Sequence, residues 1–208
     1  MAPSPTEVTM PFGPIDVVFD EHVLVPRPWT LAQSAWGTEL LGTLPEGRVL
    51  ELCSGAGQIG LAAVVGTARA IVQVDRSEAA CGYARRNAAA AGVEADVRCG
   101  SMDEALADGE QFILVVADPP WVPSTDVPGF PEDPVWAIDG GGDGLDVARR
   151  CLQVAGTHLA PGGAVLLQVG TSEQVERLAS EALAWGLEIA EVRTFERGAV
   201  ALLRHAEG

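Results

Sequence analysis

Four consecutive residues near the middle of the chain, Asp118-Pro119-Pro120-Trp121, are of types that can hold and orient a nitrogen. Two successive prolines stiffen a turn and leave its carbonyls without competing N–H groups. The Asp118 carboxylate and such a fixed carbonyl can each accept one N–H of an –NH2 group. Trp121 can stack on the flat group that carries it. The arrangement suits an amide or aromatic amine, whose delocalised lone pair needs orienting toward an electrophile. Asp118, Pro119 and Trp121 are therefore the candidate catalytic residues. An Asp-Pro-Pro turn alone is more often purely structural; its place after a buried strand, downstream of a glycine-rich turn, makes it specific.

That glycine-rich turn is the second chemical signal. Val49, Leu50 and Leu52 form an apolar run of the kind a strand buried on both faces requires. Cys53-Ser54-Gly55-Ala56-Gly57 follows, then a mostly apolar helix from Ile59 to Val65. Strand, turn and helix bring backbone N–H groups and the positive end of a helix dipole to one point, a site for the polar part of a nucleotide-like ligand. Asp75 ends the next apolar run and could accept hydrogen bonds from ribose hydroxyls, with Arg76 beside it. Gly55 to Gly60 matches the G-x-G-x-x-G dinucleotide pattern, which leaves NAD open. Glu51, however, stands just before the glycines. A carboxylate there repels a pyrophosphate and attracts an amine and a sulfonium. S-adenosylmethionine carries both cations, so the charge argument favours it over NAD.

Composition narrows the classes. At 208 residues with 48% hydrophobic content, the chain can bury a real core. No apolar run approaches the ~20 residues that span a bilayer. The start, Met1 to Thr6, has neither a basic nor an apolar signal region, so a cytoplasmic protein is expected. Cys53, Cys81, Cys99 and Cys151 are scattered without a C-x-x-C pair and read as reduced core thiols. His22, His158 and His205 are too far apart to suggest a metal cluster. Net charge is −16, with 13 Lys and Arg and no basic stretch, which disfavours duplex nucleic acid as a partner. The plainer reading of the acidity is solubility.

The elements that must position these residues follow from the pattern. Residues 1–6 read as a disordered tail, 7–47 as an N-terminal extension and 48–208 as the catalytic core of one domain. Val8–Met10 and Ile15–Phe19, split by Pro11-Phe12-Gly13-Pro14, predict a hairpin, and His22–Val25 a further strand. Pro26-Arg27-Pro28-Trp29-Thr30 predicts a stiff extended loop, with Thr30 capping a helix to about Leu41. That loop is either a structural lead-in or places Arg27, Trp29 and Thr30 over the cofactor mouth. Ser77 caps a helix ending near Gly92, and Ala95–Cys99 is a third core strand. Gly100-Ser101-Met102-Asp103 then lies at a strand's C-terminal edge, where open α/β sheets bind ligands. Phe112–Ala117 is the fourth strand. The Pro- and Gly-rich segment from Val122 to Gly144 reads as a functional loop, with Phe130, Asp133 and Trp136 forming a lid. Asp143 or Gly144 opens a helix stopped by Pro161-Gly162-Gly163, Ala164–Val169 is strand five, and Thr171 with Gln174 forms a capping box. Leu187–Val192 and Ala199–Leu203 close the sheet as an antiparallel pair. Strands alternating with helices in this way predict an α/β, doubly wound, mostly parallel seven-stranded sheet.

Leu24-Val25-Pro26-Arg27-Pro28, Leu50-Glu51-Leu52-Cys53-Ser54-Gly55-Ala56-Gly57, Asp118-Pro119-Pro120-Trp121 and Ala137 through Asp146 occur in the order seen in release-factor glutamine N5-methyltransferases. Over about residues 15 to 170 the chain resembles that family of class I S-adenosylmethionine-dependent enzymes. The resemblance implies a Rossmann-like seven-stranded sheet. It also implies that Glu51, Gly55 and Gly57 hold the methionine end, Asp75 the ribose, Ser101 or Met102 the adenine edge, and Asp118 with Pro119 the accepting nitrogen. Departures accompany it. The family has Asn where Asp118 stands and Tyr where Trp121 stands, and Asp-Pro-Pro-Trp looks more like the motif of adenine-N6 methyltransferases. Trp29-Thr30 replaces Glu-Thr, and Cys53 replaces the first glycine of the turn. The ~47 residues before the first core strand leave no room for the N-terminal helical substrate domain of the bacterial enzymes. A shorter archaeal and eukaryotic form lacks that domain and relies on a small zinc-binding partner, so an activating protein partner or a homodimer is open here.

The expected activity is N-methylation, dependent on S-adenosylmethionine, of an amide or aromatic amine on a protein or small molecule. Expected cofactor residues are Arg27, Thr30, Glu51, Cys53, Gly55, Gly57, Asp75, Arg76, Ser101, Met102 and Asp118, with no metal. The alternatives are methylation of an exocyclic base nitrogen in nucleic acid, or a non-catalytic nucleotide- or NAD-binding module.

Overall fold

A computed structural model describes residues 6–206, so the expected tail, apart from Thr6, lies outside the described residues. The predicted hairpin is present as β1 (Val8–Phe12) and β2 (Ile15–Phe19), antiparallel with Val8 opposite Phe19. It is followed by α1 (Leu31–Leu41), β3 (Val49–Leu52), α2 (Gln58–Val64), β4 (Ile71–Asp75), α3 (Glu78–Ala91), β5 (Ala95–Cys99) and β6 (Phe112–Ala117). A four-residue helix α4 (Val135–Ile138) interrupts the long loop, and α5 (Asp146–His158), β7 (Leu159–Val169), α6 (Ser172–Ala184), β8 (Leu187–Thr194) and β9 (Ala199–His205) complete the chain.

The seven core strands lie in the order β5-β4-β3-β6-β7-β9-β8, with β9 antiparallel to both its neighbours and the other pairings parallel. From β3 the chain first builds outward through β4 and β5, then returns to place β6 on the other side. The order therefore reverses between β3 and β6, and a crevice opens beyond their C-terminal ends. β3, β4 and β6 are buried at every residue, which explains why they read as unbroken apolar runs. Alternation along β6 divides the core: Leu114 and Val116 pack with α1, α2 and the hairpin, whereas Val115 and Ala117 pack with α5 and α6.

Several boundaries differ from expectation, each for a local reason. His22–Val25 form no strand. Thr30 precedes α1, but its hydroxyl donates to the Arg27 carbonyl (2.8 Å) instead of capping the helix. Asp143 and Gly144 form a turn before α5: the Leu145 N–H bonds the Asp143 carboxylate (3.1 Å), and Gly144 has φ of 78°. β7 absorbs Pro161-Gly162-Gly163, because Leu159 already pairs with Phe112 across an irregular register. Gln174 reaches back to the Gly170 N–H (2.8 Å) rather than that of Thr171, while Thr171 caps α6 as expected. Of the four free cysteines, Cys81 and Cys151 are buried and Cys53 is half-buried; Cys99 is exposed, since it ends the edge strand β5. No helix among the described residues is long and apolar enough to cross a membrane.

Candidate active site

A cavity of about 330 Å3 occupies the crevice beyond β3, β4 and β6. Cys53 and Gly55 enter it from the turn after β3, Asp75 and Arg76 from the end of β4, Gly100, Ser101 and Met102 from the end of β5, and Asp118 and Pro120 from the end of β6. Residues from four separate strand ends thus meet on one space.

The turn after β3 is built from unusual backbone. Cys53 has φ of 56°, a left-handed conformation uncommon outside glycine, and Gly55 and Gly57 follow at 53° and 84°. Gly57 and Gly60 also answer to close packing. A Cβ on Gly57 would lie 2.6 Å from the Gln73 amide, and one on Gly60 would lie 2.5 Å from the Glu51 carboxylate. Asn87 on α3 holds the turn from behind. It donates to the Ala56 carbonyl (2.9 Å) and exchanges hydrogen bonds with both backbone groups of Val18 on β2.

Glu51 does not reach the cavity. Its carboxylate accepts from the Gly60 N–H (2.9 Å) and from Gln73 (2.6 Å), and so pins α2 to β3 and β4. Burial raises its pKa to about 7 against these bonds. Asp75 has one oxygen on the turn, accepting from the Gly55 N–H (2.8 Å), and the other accepts from the Ser77 N–H at the start of α3 (2.8 Å); burial still pushes it up. Burial alone raises Asp118 to about 7. Asp139 also lines the cavity, fixed by Ser124 (2.7 Å) and Gly141 (2.9 Å). Against these acids stand Arg76 and Arg150, the latter bound to Asp103 and Ser101. The neighbouring Cys151 thiol, together with burial, holds Cys53 in its protonated form.

Of the expected cofactor residues, Cys53, Gly55, Asp75, Arg76, Ser101, Met102 and Asp118 line this one cavity. Arg27, Thr30, Glu51, Gly57, Pro119 and Trp121 stand outside the lining. Arg27 instead pairs with Asp133, joining the stretch that supplies Val23 and Leu24 to the one that supplies Trp136 and Ala137. Of the three expected lid residues only Trp136 lines this cavity; Asp133 acts through Arg27, and Phe130 lines a different cavity with Trp121. Sequence reasoning missed Gln58, Asp139 and Arg150. It also passed over two readable signals, a glutamine (Gln73) inside an apolar strand and an asparagine (Asn87) inside an alanine-rich helix, both of which need buried partners.

Comparison with known proteins now bears on what this cavity serves. Residues 35–128 match the family model of the methyltransferase small domain. That stretch is similar to a methyltransferase domain. The chain is 37% identical over 166 residues to a release factor glutamine methyltransferase of Xylella fastidiosa, covering 76% of this chain and 60% of that one. It is 38% identical over 167 residues to one from Mycobacterium tuberculosis, covering 74% and 54%. A ribosomal protein uL3 glutamine methyltransferase of Bradyrhizobium diazoefficiens is 33% identical over 171 residues, covering 75% and 53%. The chain thus spans between half and two thirds of the length of these relatives. Its fold is that of class I methyltransferases. The T. thermophilus 16S rRNA methyltransferase RsmC, in complex with AdoMet and guanosine, superposes with a TM-score of 0.71 at 19% identity, covering all of this chain and 52% of that one. A Pyrococcus abyssi tRNA methyltransferase in complex with S-adenosyl-L-homocysteine gives 0.65 at 16% identity, covering 95% and 44%.

Proposed function

We propose that the chain is an S-adenosylmethionine-dependent N-methyltransferase, with the carboxamide nitrogen of a protein glutamine as its favoured acceptor. One observation carries the reading: Asp75, at the end of β4, and Asp118, just after β6, border the same cavity at the reversal point of the sheet. The relatives named above methylate glutamine in proteins by their descriptions, which supports the acceptor class.

The residues present fit the cofactor. Gln58 lines the cavity with its side-chain oxygen buried and without a partner, an acceptor suited to an ammonium group. The acids Asp75, Asp118 and Asp139, with Glu51 behind them, outnumber the cations Arg76 and Arg150, which suits a positively charged ligand and opposes a pyrophosphate. When bound, S-adenosylmethionine supplies a methyl carbon made electrophilic by its sulfonium. This chain's own residues supply the rest. Asp75 binds the ribose edge through lone pairs left over from Gly55 and Ser77. Asp118 accepts an N–H of the acceptor and so turns the nitrogen lone pair toward the methyl carbon. Raised to about 7, the Asp118 carboxyl also stands ready to take up the proton that the nitrogen must lose at neutral pH. Val23, Leu24 and Trp136 keep water from that contact.

Calorimetry with S-adenosylhomocysteine and NADH, followed by mass spectrometry of glutamine-containing peptides incubated with S-adenosylmethionine, tests the proposal. Micromolar binding of the first ligand and a 14 Da gain (~14, one methyl in place of hydrogen) on a glutamine are expected. Binding of NADH alone would overturn the cofactor assignment. A second reading, methylation of an exocyclic base nitrogen, draws on the Asp-Pro-Pro-Trp motif and predicts methylation of single-stranded oligonucleotides in place of peptides.

A further inference from the structure

The reactive turn has two sides. Asp118 and Pro120 face the first cavity, but Trp121 faces a second one of about 390 Å3, lined also by Val122, Phe130, Thr171, Glu173 and Arg177. Nothing in the proposed chemistry uses this space. Its back wall is held firmly. The Trp121 ring lies against Gly170 so closely that any larger residue there would collide with it. Gln174 donates to the carbonyls of Trp121 (3.0 Å) and Asp143 (3.3 Å), tying the turn to α6 and to the far end of the long loop. Asp143 in turn is held by Arg149, which also binds Glu181 on α6. The rim carries charge of both signs: Asp126 and Glu173 beside Arg177.

We propose that this second cavity is the subsite for the residue next to the methylated one, and that it takes an apolar or aromatic side chain of a peptide acceptor. The inference rests on the reading of the chain as a protein N-methyltransferase. Distance supports it: Trp121 is the third residue after Asp118, which limits their Cα separation to about 10 Å. Successive side chains of an extended peptide point to opposite faces, so the tips of two adjacent ones can span that distance, and one segment can present its amide at Asp118 and the neighbouring side chain between Trp121 and Phe130. Two aromatic walls and a valine favour an apolar occupant by burial. Facing charges at the rim suit the mixed donors and acceptors of a peptide backbone. A small amine with no polymer attached would leave the cavity unused.

The test is a series of acetylated, amidated tripeptides with glutamine in the centre and Gly, Ala, Leu, Phe or Trp at each flank in turn. Rates of methyl transfer are measured for the unaltered chain, for Phe130→Ala and for Arg177→Ala, with S-adenosylhomocysteine affinity as a check on folding. Leu, Phe or Trp at one flank should raise kcat/KM by roughly tenfold or more over Gly, matching the burial of one large apolar side chain. Phe130→Ala should shrink that ratio several-fold, and Arg177→Ala should raise KM for all peptides. Equal rates across the series, or a preference that survives Phe130→Ala intact, would overturn the subsite. Failure of every peptide in a chain that binds S-adenosylhomocysteine would overturn the peptide acceptor itself, and the subsite with it.

Discussion

Gln33 on α1 donates a 3.0 Å hydrogen bond to the carbonyl of Ala117, the residue immediately before Asp118. The same nitrogen donates to the carbonyl of Leu166, also at 3.0 Å, so one fully buried side chain spans β6 and β7 where the Asp-Pro-Pro-Trp turn begins. Gln33→Leu would strand two buried carbonyls. It is expected to cost about 1–3 kcal/mol of stability in urea unfolding and to lower kcat more than it raises KM, because the turn loses its fixed position. A variant with wild-type kcat would show that the strand end holds itself.

Glu51 makes its contacts to the protein and none to the cavity, which separates two roles for it. Glu51→Ala leaves the Gly60 N–H and the Gln73 amide without their shared acceptor. A loss of roughly 2–3 kcal/mol in unfolding free energy is expected. Glu51→Gln can keep one bond if the Gln73 amide turns over, since the Gln73 oxygen is at present unpartnered, and should be milder. Large loss of S-adenosylhomocysteine affinity in Glu51→Gln at unchanged stability would show that Glu51 touches the ligand after all.

In the proposed function, Asp118 bears the chemistry. Asp118→Ala should reduce methyl transfer by roughly 30- to 1,000-fold, about 2–4 kcal/mol in the barrier, with cofactor affinity nearly intact. Asp118→Asn keeps an acceptor oxygen without the charge. Partial activity is expected if orientation is its whole task, and almost none if the carboxylate must also take the proton. Full activity of Asp118→Ala on any acceptor would sink the proposed site.

The buried acids give stability an unusual pH profile. Glu51 and Asp118, both raised to about 7 by burial, hold protons in the folded chain that they lose near pH 4 when unfolded. Between those values the native state binds more protons, so their contribution weakens as pH rises from about 4 to 7. Asp143, held down to about 2 by Arg149, acts in the opposite sense, and its contribution disappears as pH falls from about 4 toward 2. The ligand-free chain should therefore be most stable in mild acid. A sulfonium ligand favours the ionised acids and should move the optimum toward neutrality. Urea midpoints at pH 3, 5 and 8, with and without S-adenosylmethionine, check both; a free-chain midpoint that climbs from pH 5 to 8 would contradict the assignment.

Much of this was readable from residue order. The apolar runs of β3, β4 and β6 had to be central strands, and so Asp75 and Asp118, which end or follow them, had to share the crevice at the strand ends. What could not be read was where side chains point. Glu51 lies one residue before the end of β3, and alternation there turns it under α2, beyond the reach of any argument from spacing. Trp121 was expected beside Asp118, but the turn made by the two prolines carries it to the opposite side. Gln58 and Arg150 gave no signal at all: Gln58 is the first residue of α2, and Arg150 sits on the amphipathic α5, places where a polar residue is ordinary.

Arg27 and Asp133 are 106 residues apart in sequence, and their pairing joins the two stretches that close the first cavity on its outer side. Neither stretch belongs to the seven-stranded sheet. They can part without disturbing a strand, whereas Asp75 is anchored at the end of one. In the proposed function, parting of this ion pair governs how long a ligand stays inside, and Asp75 at the sheet end how strongly its ribose is held. Residence time and affinity become separately adjustable in this chain, the first sensitive to salt and the second largely indifferent to it.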